Sequence, residues 1–242
     1  MYESIISKQN LISLNETTHT YTLQNSDIEF SSVTEFIGRF FKTFDEQKVA
    51  EKLSKMSKYK GQTVNQILEN WNNRKERGTI VHKEIETVIL QANQNAKFDT
   101  TELVQLDIKT QMAIEFLKKC DIYKNNLIFP EVKVFSKQLK LAGTIDLMIY
   151  NKPKDEISLI DWKTNLEIKK TGYNMGVEPA TRHTEDCSFN KYQLQLSMYR
   201  YILETFYDVK VNGLYILHLK ESEFKYLKCQ FQQNTILEML KS

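Results

Sequence analysis

Two carboxylates and a lysine lie on neighbouring predicted strands in the second half of the chain. Asp146 is the only charged residue in the apolar run 141–149, and Asp161 precedes Lys163 by two residues in the run 157–163. Because side chains alternate between the two faces of a strand, Asp161 and Lys163 share a face. Carboxylate oxygens suit a hard divalent cation, and an adjacent ammonium can orient a water or offset developing phosphate charge.

Strand spacing of this kind also occurs on ordinary solvated faces, so Asp161 and Lys163 alone do not establish a site. The run that holds them carries apolar residues on both faces, which is typical of a buried strand. A buried charge is costly unless it is paired or bound to a metal. We therefore favour a functional site here, and we expect the backbone carbonyl of Trp162 to be a further metal ligand.

His82 borders the apolar stripe of a predicted helix, and Glu86 follows one turn later on the same face. On spacing alone, a histidine at the edge of the core is the simpler interpretation, and a metal ligand is the alternative. The remaining histidines, His19, His183 and His218, lack a comparable pattern of partners, and we expect no catalytic role for them.

Gln195 and Tyr199 lie four residues apart on a predicted helix and therefore share a face. An amide and a phenol hydroxyl placed together can form hydrogen bonds with a phosphate or with a catalytic side chain. They can equally be ordinary polar residues of a helix surface, and their spacing does not decide between these interpretations.

The elements that must position these residues fall into two regions. Residues 1–125 are predicted to be mostly helical, after a small hairpin that pairs 19–23 with 28–30. Hydroxyl side chains at 31–34 predict a helix start, helical spacing continues to about residue 92, and it resumes over 103–120.

Beyond residue 126 the apolar residues recur with a period near two and become β-branched or aromatic, which indicates strands. We predict strands over 127–135, 140–150, 157–164, 211–219 and 224–231, a helix over 193–207 and a short terminal helix. The predicted fold class is α/β, with one domain spanning residues 1–242.

Composition excludes several classes of protein. With 41% hydrophobic and 26% charged residues among 242, the chain is not disordered or fibrous. The sequence lacks the roughly 18 consecutive apolar residues of a membrane helix and the apolar run of a secretory signal. We expect a soluble cytoplasmic protein without membrane contact. The net charge of +2 indicates no particular partner, because local field rather than total charge attracts phosphate.

Three cysteines, Cys120, Cys187 and Cys229, stand far apart in the sequence. Their spacing argues against a disulfide framework, a zinc knuckle and an iron–sulfur cluster held by four cysteines. The glycine-rich phosphate loops of P-loop and dinucleotide-binding enzymes are absent as well. We therefore expect no nucleotide cofactor and no iron–sulfur cluster.

Five motifs in order resemble those of the PD-(D/E)XK nucleases, and more narrowly of the RecB-like exonuclease branch. They are Gly78–His82, Pro130–Glu131, Gly143–Asp146, Asp161–Lys163 and Gln195–Tyr199. The resemblance covers about residues 77–200, and the histidine motif and the Gln-x-x-x-Tyr motif distinguish this branch. The helix start at 32–34 and the long segment before Tyr192 are also similar to the mitochondrial genome maintenance exonuclease and to phage-encoded nucleases.

The resemblance implies a central mixed β-sheet flanked by helices, as in restriction endonucleases. It implies that His82, Asp146 and Asp161 bind Mg²⁺ or Mn²⁺, that Lys163 assists the attacking water, and that Glu131 matches a less constant acidic position. Gln195 and Tyr199 would support the site and contact DNA.

The implied activity is exonucleolytic hydrolysis of single-stranded or end-exposed DNA in recombination, repair or replication, alongside a protein partner of those processes. A structure-specific or restriction-type endonuclease and a catalytically silent DNA-binding module are the alternatives. In a phage-encoded protein, the place of action would be the host cytoplasm.

A polar segment, residues 165–192, follows the Lys163 motif and ends just before the Gln195 helix. Its length and low apolar content predict a mobile gate that DNA would order. Basic residues in it can meet phosphates and tyrosines can stack on unpaired bases. The candidates are Lys169, Lys170, Tyr173, Arg182 and Tyr192.

Overall fold

Alternating apolar residues in the second half of the chain build most of a six-stranded sheet. The computed structural model describes residues 2–98 and 105–242. The sheet is mixed and is flanked by helices, as the α/β prediction requires. Its strands are β3 (Ser31–Ser32), β4 (Asn126–Ser136), β5 (Leu141–Asn151), β6 (Glu156–Lys163), β7 (Val211–Leu219) and β8 (Phe224–Cys229), and a separate hairpin holds β1 (Ile12–Asn15) and β2 (Thr20–Leu23).

Strand order places β5 and β6 inside the sheet, with a neighbouring strand on each side. The order is β4, β5, β6, β7, β8, and the short β3 pairs in parallel with the beginning of β5. β6 and β7 are parallel, and such a pair needs a long crossover connection. The antiparallel β5–β6 ladder ends at the pair Leu147 and Ile160. Beyond that pair the two strands part, which opens a fork between them.

Helices cover both faces of the sheet. They are α1 (Tyr2–Gln9), α2 (Val33–Gly38), α3 (Glu46–Ser54), α4 (Val64–Asn95), α5 (Ile108–Lys119), α6 (Ser188–Phe206) and α7 (Gln233–Met239), with single 3₁₀ turns at Ser57–Tyr59 and Pro179–Thr181. The α4 helix has 32 residues and begins at a capping box formed by Thr63 and Gln66. At a rise of about 1.5 Å per residue it is roughly 48 Å long.

The two faces of the sheet carry separate apolar clusters. On one face, α2, α6 and α7 pack over inward residues of the strands, with Ile202 of α6 and Ile145 of β5 both buried. On the other face, α4 and α5 bury Ile85 and Leu117 against the indole of Trp162. Each buried side chain of this size contributes about 1.5–3 kcal/mol through removal of apolar surface from water. Helices therefore pack on both faces of the strands that carry Asp146 and Asp161 and fix their positions.

The predicted strands and the long C-terminal helix are confirmed within a few residues of their expected ends. The extended hairpin pairs 20–23 with the upstream 12–15. The predicted pairing of 19–23 with 28–30 is confirmed only as a single antiparallel bridge between Tyr21 and Phe30. The Asn15 side chain accepts the backbone N–H groups of Thr17 and Thr18, which sets the turn. The α1 helix was not anticipated. Of the helix predicted over 103–120, residues 103–104 lie outside the described residues.

The structure gives residues 165–192 a folded course, and their ordering by DNA stays a prediction. Residues from 188 onward already belong to α6, and the remainder is held by its own backbone hydrogen bonds. The Gly176 amide donates to the Thr184 carbonyl, and the Val177 amide donates to the Phe40 carbonyl, each at 2.9 Å. The segment thus packs against the end of α2.

Two smaller expectations concern cysteines and membranes. All three cysteines are free thiols, with Cys187 and Cys229 buried and Cys120 exposed. Within residues 2–98 and 105–242, every helix is too short or too polar to cross a bilayer.

Candidate metal centre and its surroundings

The fork between β5 and β6 positions two carboxylates that the sequence had placed on adjacent strands. Asp146 and Asp161 follow directly beyond the last paired residues of the two strands. The Trp162 amide donates a hydrogen bond to Oδ2 of Asp146 at 2.7 Å, so a side chain of one strand reaches the backbone of the other. Both carboxylates are shielded from water, with side-chain exposures of 12% for Asp146 and 4% for Asp161.

Asp146 forms a cluster with residues from two other elements. Nδ1 of His82, on α4, lies 3.7 Å from Oδ2 of Asp146 and 3.8 Å from Oε1 of Glu131 on β4. Both separations are too long for hydrogen bonds. Each is within the span of two ligands on one Mg²⁺, which is at most about 4.2 Å because each bond is about 2.1 Å. Ligand atoms of all three residues lie within 4.8 Å of one another.

Glu131 has an unusual backbone for a residue within a strand. Its φ is 49°, a positive value in the left-handed region that non-glycine residues rarely adopt. Such strain of about 1–3 kcal/mol persists where the surrounding structure enforces it, commonly at functional sites. Pairing of β4 with β5 resumes on either side of Glu131, so the ladder holds the residue in this conformation. The strained residue is thus one of the two that contribute a carboxylate to the cluster.

Asp161 belongs to a second group, beside the cluster. Its Oδ2 lies 2.7 Å from Nζ of Lys163, and its Oδ1 accepts a hydrogen bond from Nε2 of Gln195 at 3.2 Å. The same amide nitrogen of Gln195 lies 3.4 Å from the hydroxyl of Tyr199. The Lys163 ammonium also lies 4.4 Å from the ring centre of Tyr192, a cation–π contact. The ammonium group therefore lies between its own strand β6 and helix α6.

Gly143 allows α6 to approach β5 closely at this point. A Cβ atom at residue 143 would lie 2.5 Å from Cε1 and 2.8 Å from the hydroxyl of Tyr199. Any larger residue would push the Tyr199 ring away from Gln195. The glycine of the third motif is therefore needed for the contact between α6 and the site.

Burial and the neighbouring charges shift the pKa values of both groups. Burial lowers the pKa of His82, but the carboxylates of Asp146 and Glu131 outweigh burial and raise that pKa to about 9. Burial raises the pKa of Asp161 to about 6 and also raises the pKa of Asp146, against the opposing effects of the nearby cations. Burial lowers the pKa of Lys163, but Asp161 and Asp146 more than reverse this effect. Ionised carboxylates are thus costly here without an additional cation.

The donor set fits a divalent cation. One imidazole nitrogen and two carboxylate oxygens are ligands that Mg²⁺ and Mn²⁺ accept, and the nitrogen favours Mn²⁺ somewhat. The described side chains group Glu131 with His82 and Asp146, while Asp161 faces Lys163, and the role of Asp161 as a metal ligand stays a prediction. Trp162 contacts Asp146 through its backbone amide. A role of its carbonyl as a metal ligand stays a prediction.

Not all predicted DNA-contact residues lie together. Tyr192, Gln195 and Tyr199 line the site from α6 as expected. In the described part of the chain, the other four side chains form no hydrogen bond or ion pair with the metal cluster or with Asp161. Tyr173 is fully exposed, and Lys170 lies over the ring of Phe189. Lys169 and Arg182 are the other two residues without such a contact, and Arg182 donates a hydrogen bond to His183.

Sequence reasoning missed the residues that hold the chain just after Lys163. Nζ of the buried Lys109 donates to the Thr164 carbonyl at 2.7 Å, and Nε2 of His218 lies 2.5 Å from the Asn165 carbonyl. His218, for which no catalytic role was expected, is therefore a structural contact of this segment. These partners are 55 and 53 residues apart in sequence, so no local pattern could have shown them.

A cavity of about 410 Å³ adjoins the cluster on the side of α4. His82, Glu86 and Glu131 line it, together with Glu16 from the β1–β2 turn. The hairpin is fixed near the site because the Tyr21 hydroxyl lies 3.0 Å from Oγ1 of Thr144 on β5. The N-terminal hairpin is thus part of the wall around the candidate metal centre.

Comparisons of the sequence with protein-family models and with curated proteins found no match. The resemblance to the PD-(D/E)XK nucleases therefore stays a prediction that rests on the five motifs. The geometry adds that residues of these motifs, although spread over about 120 positions, come together where the β5–β6 ladder ends.

Proposed function

We propose that the chain is a metal-dependent deoxyribonuclease that hydrolyses phosphodiester bonds at single-stranded or exposed DNA ends. The observation that carries the proposal is the fork of β5 and β6, where Asp161 and Lys163 lie beside the cluster of His82, Glu131 and Asp146. A buried ion pair next to a separate set of metal-ligating side chains is an expensive arrangement for a purely structural role.

His82, Glu131 and Asp146 would hold Mg²⁺ or Mn²⁺, and Asp161, just beyond the end of the same ladder, is a further candidate ligand. When bound, such a cation supplies Lewis acidity at a phosphoryl oxygen and lowers the pKa of a coordinated water. Mg²⁺ is the expected physiological ion because of its abundance.

The chain's own residues orient and charge the site. Gln195 fixes one oxygen of Asp161, which leaves the other oxygen facing the Lys163 ammonium. Lys163 is protonated at neutral pH, since its carboxylate neighbours raise its pKa against the effect of burial. In this position it can hold an attacking water or donate to the phosphate as negative charge develops. The Trp162 amide keeps Asp146 turned toward His82.

The resemblance of the motifs favours an exonuclease acting in recombination, repair or replication. An endonuclease of the same superfamily would use the same residues. Cleavage of closed circular DNA, which has no ends, distinguishes it from an exonuclease. A silent DNA-binding module would not need the ion pair of Lys163 with Asp161 beside a metal cluster.

The test is a cleavage assay with end-labelled single-stranded, duplex and closed circular DNA in Mg²⁺ or Mn²⁺. The wild type is compared with Asp146→Asn and with the control Asp155→Asn, which makes the same change in the exposed turn of the same hairpin. We expect metal-dependent loss of linear DNA, a decrease of about a hundredfold or more for Asp146→Asn, and no change for Asp155→Asn. Cleavage of closed circular DNA would indicate an endonuclease. A wild-type protein that is inactive both in Mg²⁺ and in Mn²⁺ would contradict the proposal.

A further inference from the structure

A basic helical arm extends from the metal centre along α4. We define the helical arm as residues 42–75, comprising α3, the following 3₁₀ turn and the first part of α4. The Phe44 ring packs on Trp71 with 5.8 Å between ring centres, and Nζ of Lys75 lies 2.6 Å from Glu46, so α3 is fixed against α4.

Positive charge is concentrated in the helical arm. Residues 42–75 contain eight Lys and Arg against four Asp and Glu, a net charge of +4, whereas the whole chain carries +2. The rest of the chain is therefore acidic overall. This local field, and not the total charge, would attract a polyanion. Six of the eight cations are exposed and their side chains form no hydrogen bond or ion pair with any described residue; they are Lys42, Lys52, Lys55, Lys58, Lys60 and Arg74.

The helical arm also exposes apolar surface. Phe44 is 61% exposed and Met56 is 54% exposed, so an aromatic face is available next to the lysines. Two exposed side chains are too few for an amphipathic membrane-binding face, which needs a continuous apolar stripe. Phosphates with neighbouring bases match lysines and an aromatic ring better, because bases stack on aromatic faces while phosphates bind ammonium groups.

The part of α4 that holds α3 lies on the same side of that continuous helix as His82 of the metal centre. At roughly 100° per residue, Trp71, Lys75 and His82 lie within about 40° of one stripe on α4. Trp71 and His82 are separated by about 16 Å of helix rise. This distance corresponds to about five nucleotides of one strand at about 3.4 Å each.

We propose that the helical arm binds the sugar–phosphate backbone of a nucleic-acid strand whose end lies at the metal centre. The proposal rests on the nuclease function proposed above for the location of that end. It assigns to α3 and its following turn a second contact, at least about five nucleotides from the site of cleavage.

The test measures binding without cleavage, by fluorescence anisotropy of labelled single-stranded DNA in EDTA. The arm variant combines Lys52→Gln, Lys55→Gln, Lys58→Gln and Lys60→Gln. Circular dichroism melting verifies that this variant and its control both fold. The matched control combines the same change at four exposed lysines near the opposite end of the sheet, namely Lys118→Gln, Lys124→Gln, Lys152→Gln and Lys154→Gln.

We expect the arm variant to bind a 20-nucleotide strand at least about tenfold more weakly than the control variant. Its slope of log affinity against log salt should fall by about three, since each lost phosphate contact accounts for about 0.7 with single strands. A five-nucleotide strand at the metal centre is too short to reach the helical arm, so the affinity of both variants for it should stay close to that of the wild type. Equal affinities and slopes of the two variants for the long strand would overturn the proposal.

Two further outcomes keep the two proposals separate. If the wild type cleaves DNA but the arm variant binds like the control, the nuclease function stands and the arm proposal fails. If the arm variant loses binding while the wild type never cleaves, the arm proposal stands and the nuclease function fails. Binding of the wild type to vesicles of phosphatidylglycerol, or to an acidic protein, without binding to DNA would also overturn the arm proposal.

Discussion

The amide of Trp162 donates a hydrogen bond to Oδ2 of Asp146 at 2.7 Å, just beyond the last pair of the β5–β6 ladder. Where the ladder stops, backbone groups need new partners, because buried polar groups are costly when unpaired. The Asp146 carboxylate supplies one of these partners. The end of the ladder therefore both opens the fork and orients a carboxylate toward His82.

Replacing Glu131 tests whether it is a metal ligand together with His82 and Asp146. Glu131→Gln should weaken Mn²⁺ binding by at least about tenfold, since it removes a charged oxygen ligand from the cluster. Isothermal titration calorimetry of the metal measures this effect. Glu86→Gln is the control, because Glu86 lines the same cavity but does not belong to the cluster. Equal metal affinity of the two variants would remove Glu131 from the ligand set.

Metal binding should release a proton from His82. Burial alone would lower its pKa, but Asp146 and Glu131 raise it to about 9, so the metal-free imidazole is protonated at neutral pH. A metal ligand must be neutral, so binding displaces about one proton and affinity rises with pH between about 7 and 9. Calorimetry in two buffers of different ionisation enthalpy counts the protons.

The control for this measurement is His19→Asn, in the exposed β1–β2 turn, which should release as many protons as the wild type. His82→Gln should release fewer and bind Mn²⁺ more weakly. Unchanged proton release in His82→Gln would mean that His82 is only a residue at the edge of the core.

Lys163 should be required for the chemical step. Lys163→Gln should reduce the single-turnover rate by about a hundredfold, the scale of losing one electrostatic partner of the transition state. The exposed Lys154→Gln should leave the rate unchanged. Quenched-flow assays at saturating Mg²⁺ measure both variants. A near-normal rate for Lys163→Gln would exclude a catalytic role for this ammonium.

The close approach of α6 to β5 should be sensitive to one methyl group. Gly143→Ala should lower the free energy of unfolding by about 1–3 kcal/mol, because the new Cβ overlaps the Tyr199 ring. Gly38→Ala is the control, since a Cβ there meets no atom of the described residues within 4 Å. Urea denaturation measures both. In a Tyr199→Leu background the additional cost of Gly143→Ala should largely disappear, and its persistence would show that another contact limits this position.

Tyr173 should affect DNA binding and not folding. Its side chain is fully exposed, so Tyr173→Ala should leave the melting temperature unchanged. The same change should weaken single-strand binding through lost base stacking, by about 1–3 kcal/mol. Leu166→Ala, an exposed apolar change in the same segment, is the control. Identical DNA affinities of the two variants would assign Tyr173 to a solvated surface.

The sequence by itself determined the order and type of most elements. The change from helical to alternating spacing near residue 126 predicted the strands β4 to β6, because period and residue type reflect local geometry and burial. The same alternation placed Asp161 and Lys163 on one face, where they form an ion pair at 2.7 Å. Hydroxyl residues at 31–34 predicted the start of α2, which Ser32 caps.

Only the tertiary structure decided which side chains meet. Glu131 lies near His82, although the two are far apart in sequence, because α4 crosses the face of β4, and no local pattern contains that contact. The segment 20–23 pairs along its length with 12–15 and meets 28–30 at one bridge, and local alternation does not distinguish these two neighbours because both fit a short antiparallel strand. The order within residues 165–187 likewise depends on long-range contacts with Phe40. Contacts between distant segments follow from packing of the whole chain, whereas periodicity records only what each segment does alone.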